Sequence, residues 1–216
     1  MKWLSFIIGL FLANSAVAAD MASALLKVED RWAEIRYEMK GSRDKIAAGR
    51  ELVREAAAIE AANPGKAEPL VWHALALLIE AEVRSDISAL GLAKDARRLL
   101  EQAEDIAPTA LDGMIQTSLG MMYYEMPGWP IGFGDKRKAA QYLTRALEID
   151  ATGKDNNYFY GDYLVMTGKG SEAVPYLERA LQVPVRPGHE RADTGRKADI
   201  QESLDKARLA SSRKAR

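Results

Sequence analysis

Ala173-Val-Pro-Tyr-Leu177-Glu-Arg-Ala180 has two upstream counterparts with the same spacing, Ala139-Ala-Gln-Tyr-Leu143-Thr-Arg-Ala146 and Ala96-Arg-Arg-Leu-Leu100-Glu-Gln-Ala103. In each copy Ala, Leu and Ala fall at i, i+4 and i+7, which is one face of an α-helix. The two small residues let a neighbouring helix come close, and the leucine fills the space between them. Pro108 follows the first copy by five residues and Pro184 the last by four, and proline cannot continue a helix. Ala151 takes that place in the middle copy, and a fainter copy reads Leu52, Ala56, Ile59, Pro64. The step from Ala139 to Ala173 is 34 residues; the earlier steps, 43 and 44, read as the same unit with loop insertions. A period in this range predicts stacked helix pairs that share one continuous core.

Composition agrees. The 216 residues hold 35 Ala against 27 Val, Ile and Thr together, a balance that favours helix over strand. Thirty basic and 31 acidic residues leave no field for nucleic acid. Cysteine is absent and only His73 and His189 represent histidine, so thiolate metal sites, disulfides and a cysteine nucleophile are excluded. We expect no metal and no cofactor. No Gly-x-Ser-x-Gly or paired His–acid set assembles either, so the chain is not read as an enzyme.

Met1–Lys2, the apolar run Trp3–Leu12 and the Ala16-x-Ala18 pattern have the layout of a secretory signal peptide cut after Ala18. The expected organisation is a signal peptide at 1–18, a helical repeat domain at 19–210 and a solvated tail at 211–216. The mature chain is expected to be periplasmic or secreted and not to span a membrane. Helices are expected at about 20–39, 43–62, 67–84, 92–106, 110–125, 135–149, 155–167, 171–182 and 188–210. Ser171 and Asp135 are the candidate N-caps, and the last helix is a cap over the stack.

The Ala-Leu-Ala-Pro offsets resemble the second helix of a tetratricopeptide repeat (TPR). Leu119–Gly120 and Tyr160–Gly161 stand where the first helix has its small residue. The fold this implies is an all-α, right-handed superhelix of TPR-like helix pairs with a C-terminal capping helix. Met126-Pro-Gly-Trp-Pro-Ile-Gly-Phe-Gly-Asp135, Asn157–Leu164 and Arg186–Arg196 together resemble the exported TPR component associated with tripartite (TRAP) transporters. An insert similar to Met126–Asp135 also occurs in TPR-like regulators of microtubule dynamics. The transporter resemblance implies a helical scaffold working with a periplasmic solute-binding protein, and no catalysis.

TPR superhelices present their first helices on a concave face. Counted from the small residue, the positions facing it include His73, Leu77 and Glu80, then Thr117, Met121 and Tyr124, then Tyr158 and Asp162. These would bind a protein or peptide, or else pack against the capping helix; the exposed groove and repeat edges also allow homo-oligomers. The alternative function is a ligand-handling accessory of a TRAP-type solute transporter, distinguished by a closed tunnel in place of an open groove. Trp129 and Phe133 on the insert are either aromatic anchors at a binding edge or, the favoured reading, buried residues pinning the loop to its scaffold. Arg186, Arg191, Arg196 and Lys197 alternate with acids and read as a salt-laced helix surface.

Overall fold

The computed structural model describes residues 19–84 and 88–214, with side chains up to residue 212; the expected signal peptide lies outside the described residues. The described residues form helices and connecting turns with no strand. They are α1 (19–33, continued by a π-helical turn Glu34–Glu38), α2 (Ser42–Ala62), α3 (Ala67–Arg84), α4 (Ala89–Ile106) and α5 (Met114–Glu125). The rest are α6 (Lys136–Ile149), α7 (Lys154–Met166), α8 (Gly170–Gln182) and α9 (Glu190–Lys214). Each helix packs on the next, and α5 also meets α7 as α7 meets α9, the neighbour pattern of a TPR-like superhelix closed by a capping helix.

The repeated triplets are the core of this stack. Ala96, Leu100, Ala103, Ala139, Leu143, Ala146, Ala173, Leu177 and Ala180 are all fully buried, as are Leu52 and Ala56 of the faint copy. The packing partner is the small residue of the preceding helix. A Cβ added at Gly120 would lie 2.6 Å from Leu143 Cγ, and one at Gly161 2.7 Å from Leu177 Cγ. The same leucine-on-glycine contact thus recurs in two successive helix pairs, and only glycine fits it.

Several boundaries depart from expectation. The helix expected at 92–106 starts at Ala89, and the one expected at 188–210 runs Glu190–Lys214, into the expected tail. The helix expected at 110–125 begins at Met114, because Leu111, Asp112 and Gly113 form a left-handed turn with φ of 54°, 52° and 91°. Non-glycine residues hold this conformation only when their surroundings enforce it. Here Asn156 does so: its Nδ2 donates to the carbonyls of Asp112, Ala146 and Asp150, each at 3.0 Å, and its Oδ1 accepts from Thr117 Oγ1 at 2.8 Å. One asparagine thereby ties α5, α6 and α7 together. Ser171 is not an N-cap, since α8 starts at Gly170 and its cap position is Lys169. Asp135 caps α6, accepting from the backbone N–H groups of Arg137 at 2.9 Å and Lys138 at 3.1 Å.

Candidate functional site

The two ends of the chain meet across the concave face. Tyr37 Oη donates to Asp199 Oδ2 at 2.8 Å, His189 Nδ1 lies 2.7 Å from Glu29 Oε2, and Arg191 pairs with both Asp30 and Glu38. Gly195 of α9 is the tightest contact of this seam: a Cβ there would stand 2.2 Å from the Tyr37 ring. α1 and α9 therefore form a roof, and the face expected to be an open groove is narrowed to a partly open cavity of about 750 Å³. A volume of this size suits a small molecule.

Its walls come from six helices (α1, α3, α4, α5, α7 and α9), the insert, and Arg186 of the α8–α9 connection. Trp32 of α1, Trp72, Leu75 and Leu78 of α3, and Leu90 of α4 supply an apolar side. Met114, Met121 and Met122 line it from α5, and Met126 and Ile131 from the insert. Methionines are unbranched and polarizable, and they suit contact with varied apolar shapes.

The polar side is built around Arg196, which was expected on a salt-laced surface and is instead largely covered, its side chain 12% exposed. Its Nε donates to Asp155 Oδ1 at 2.7 Å and its Nη1 to Asp199 Oδ2 at 3.0 Å; its guanidinium lies 4.9 Å from the Tyr158 ring centre and 4.8 Å from that of Phe159. Burial alone would lower its pKa, but Asp155, Tyr37, Tyr158 and Asp199 outweigh burial and raise it, so it stays charged. Below it, Asp193 pairs with Lys154 at 2.9 Å and Arg186 at 2.8 Å. Although desolvation works against it, these partners hold its carboxyl down to about 2.

Glu125, the last residue of α5, faces the same cavity and makes no hydrogen bond or ion pair among the described residues. Its side chain is exposed to water while lining the cavity. Desolvation and the charges of Asp162 and Glu82, against those of Arg36 and Arg196, push its carboxyl up to about 7. Sequence reasoning missed this residue because nothing about a lone glutamate at a helix end marks it as inward-facing.

Of the groove candidates, Thr117, Met121 and Tyr158 line the cavity. Tyr124 and Asp162 lie beside it, joined by a 2.9 Å bond from Tyr124 Oη, and Asp162 also accepts from Ser203 of α9 at 2.6 Å. His73, Leu77 and Glu80 do not line it. His73 bonds Glu60 of α2, Leu77 belongs to the core between α3, α4 and α5, and Glu80 pairs with Arg84 at 3.0 Å. The error is one of register. α3 is packed on both flanks, so Ala74 and Ala76 are both fully buried, and His73, Leu77 and Glu80 follow from counting from Ala76. Counting from Ala74 moves two of the inward positions to Leu75 and Leu78, which do line the cavity.

The insert also corrects its expectation. The loop is fixed by backbone bonds, Gly134 N to Pro127 O at 2.8 Å and Asp135 N to Tyr123 O at 2.8 Å. Phe133 is half-buried, edge-on to Tyr123 and 4.5 Å from the Arg97 guanidinium. Trp129 is not buried: it stands at the loop tip, 89% exposed, beside Ile131 at 68%. The base of the loop does the pinning, which frees the tip.

Among the described residues no cluster of His, Asp and Glu could hold a metal, and no helix is long and apolar enough to cross a membrane. No family model and no curated protein matches the chain. Among solved structures, the chain is similar to a crystal structure of MamA, at 19% identity and a TM-score of 0.41, over 82% of this chain and 98% of that one. A second crystal structure, of MamA protein, is 17% identical with a TM-score of 0.41, over 91% of this chain and 95% of that one.

Proposed function

We propose that this protein is an exported TPR-like scaffold that holds a small, largely apolar ligand inside its superhelix. The observation that carries this reading is the roof: α1 and α9 narrow the concave face to a partly open cavity of about 750 Å³ with a mostly apolar lining. Export rests on the signal-like segment 1–18. The TRAP association rests on the resemblance of the insert and its companion segments, and gives the ligand a route: delivery to or from a solute-binding protein. A thermal-shift panel of small acids, amines, alcohols and lipids tests the reading. Stabilisation by any small apolar compound, lost when Met121 and Leu78 are both changed to Glu, supports it. No shift with any compound removes it.

A second reading, binding of a protein or peptide partner, is favoured by Trp129. An 89% exposed tryptophan at the tip of a loop pinned at its base is the residue type and setting of an interface anchor. The two readings are compatible, because the loop tip lies outside the cavity that its neighbour Ile131 helps to line. Crosslinking in the native host with and without Trp129→Ala tests this one; unchanged capture by the variant counts against it.

A further inference from the structure

We propose that the cavity selects an amphiphile with a cationic head, an amine seated against Glu125 with its apolar body among the methionines and tryptophans. This rests on the cavity reading above and names the ligand class.

Eight charged side chains line the cavity. Seven already have partners on the protein. Arg36 pairs with Glu82, Arg196 with Asp155, and Arg186 with Glu29 and Asp193. Glu125 is the eighth, and among the described residues it has no hydrogen bond or ion pair. Lys154 also pairs with Asp193, so among the charged groups of the lining Glu125 is the carboxylate left without a cation. Glu125 closes α5, where unsatisfied backbone carbonyls add negative potential and favour a positive guest. Trp32 and Trp72 line the same space, and the Trp32 ring already has the Arg36 guanidinium 5.9 Å from its centre, the kind of contact a cationic guest makes. An anionic head would meet the unpaired carboxylate, while each arginine is already held by an acid.

Three probes with one chain and different heads separate the possibilities: decylamine, decanol and decanoate, each below its micelle concentration, titrated calorimetrically into the chain starting at Ala19 at pH 8. The expected order is amine, alcohol, acid, with the amine at least about tenfold tighter than the acid, as a charge-assisted bond implies. Glu125→Gln is expected to bring amine and alcohol within about twofold of each other, and Glu125→Lys to favour decanoate. Decanoate binding as tightly as decylamine, or a Glu125→Gln variant that keeps the amine preference, overturns the head-group assignment and leaves the cavity reading standing. Binding of none of the three probes overturns both.

Discussion

Gly195→Ala is the most informative single change, because it acts on the roof alone. The added Cβ would lie 2.2 Å from Tyr37 Cδ2 and 2.3 Å from Cγ, where ordinary contact begins at 3.4 Å. The ring must retreat by more than an ångström. Cγ is the root of the ring, so the side chain cannot simply bend away at its tip. Either Tyr37 changes rotamer and loses its bond to Asp199, or the π-helical turn Glu34–Glu38 lifts off α9. Overpacking of this kind costs about 1–3 kcal/mol. Alanine's helix preference over glycine returns up to about 1 kcal/mol. The expected net loss is about 1–2 kcal/mol, a fall in Tm of roughly 2–8 °C for a chain of this size. Two readouts are needed: urea unfolding for stability, and acrylamide quenching for the roof. Quenching is read in a Trp129→Phe background of the chain starting at Ala19, where Trp32 and Trp72, both on the cavity wall, are the emitters. Gly195→Ala should lower stability and raise quenching together. Gly91→Ala, where an added Cβ meets nothing within 4 Å, should stabilise by about 0.5–1 kcal/mol and leave quenching alone. A Gly195→Ala protein as stable and as poorly quenched as its parent would refute the roof.

Glu125, whose carboxyl is pushed up to about 7, binds its proton more tightly folded than unfolded, so stability should fall as pH rises from about 4.5 to 7; Glu125→Gln should remove that fall, raising Tm at pH 7.5 and leaving it unchanged at pH 4. Asp193 runs the other way: with its carboxyl held down to about 2, it contributes stability that is present above about pH 4 and is lost as pH falls toward 2. Asp193→Asn, which leaves Lys154 without its buried partner, should cost about 3 kcal/mol at pH 7 by urea unfolding and flatten the acid limb of the stability curve. Gly120→Ala and Gly161→Ala should each destabilise by about 1–3 kcal/mol, the equivalent contacts giving similar values, and a neutral result at either site would break the repeat equivalence.

The repeat was legible because its signal is local. An alanine face at i and i+7 needs only its own helix and the one before it, and the three clear triplets are fully buried as read. Asp135 was legible for the same reason, a side chain capping its own first turn. The cavity was not, because its roof joins residues about 160 apart, as in Tyr37 with Asp199 and Glu29 with His189. Seen along one helix, the arginines and acids of α9 look like a solvated face; only α7, with Asp155 and the Tyr158 and Phe159 rings, holds Arg196 inward. Trp129 was misread because glycine and proline report that a loop is fixed, not which of its side chains the fixing buries.

The central claim is that the superhelix holds a ligand. Native mass spectrometry of the protein, isolated gently from its own host, tests it most directly. The account predicts a stoichiometric small-molecule adduct that survives gentle ionisation, leaves on denaturation, and is lost in Gly195→Ala. A bare polypeptide mass for the wild type, together with no thermal shift from any apolar amine, alcohol or acid, would contradict it.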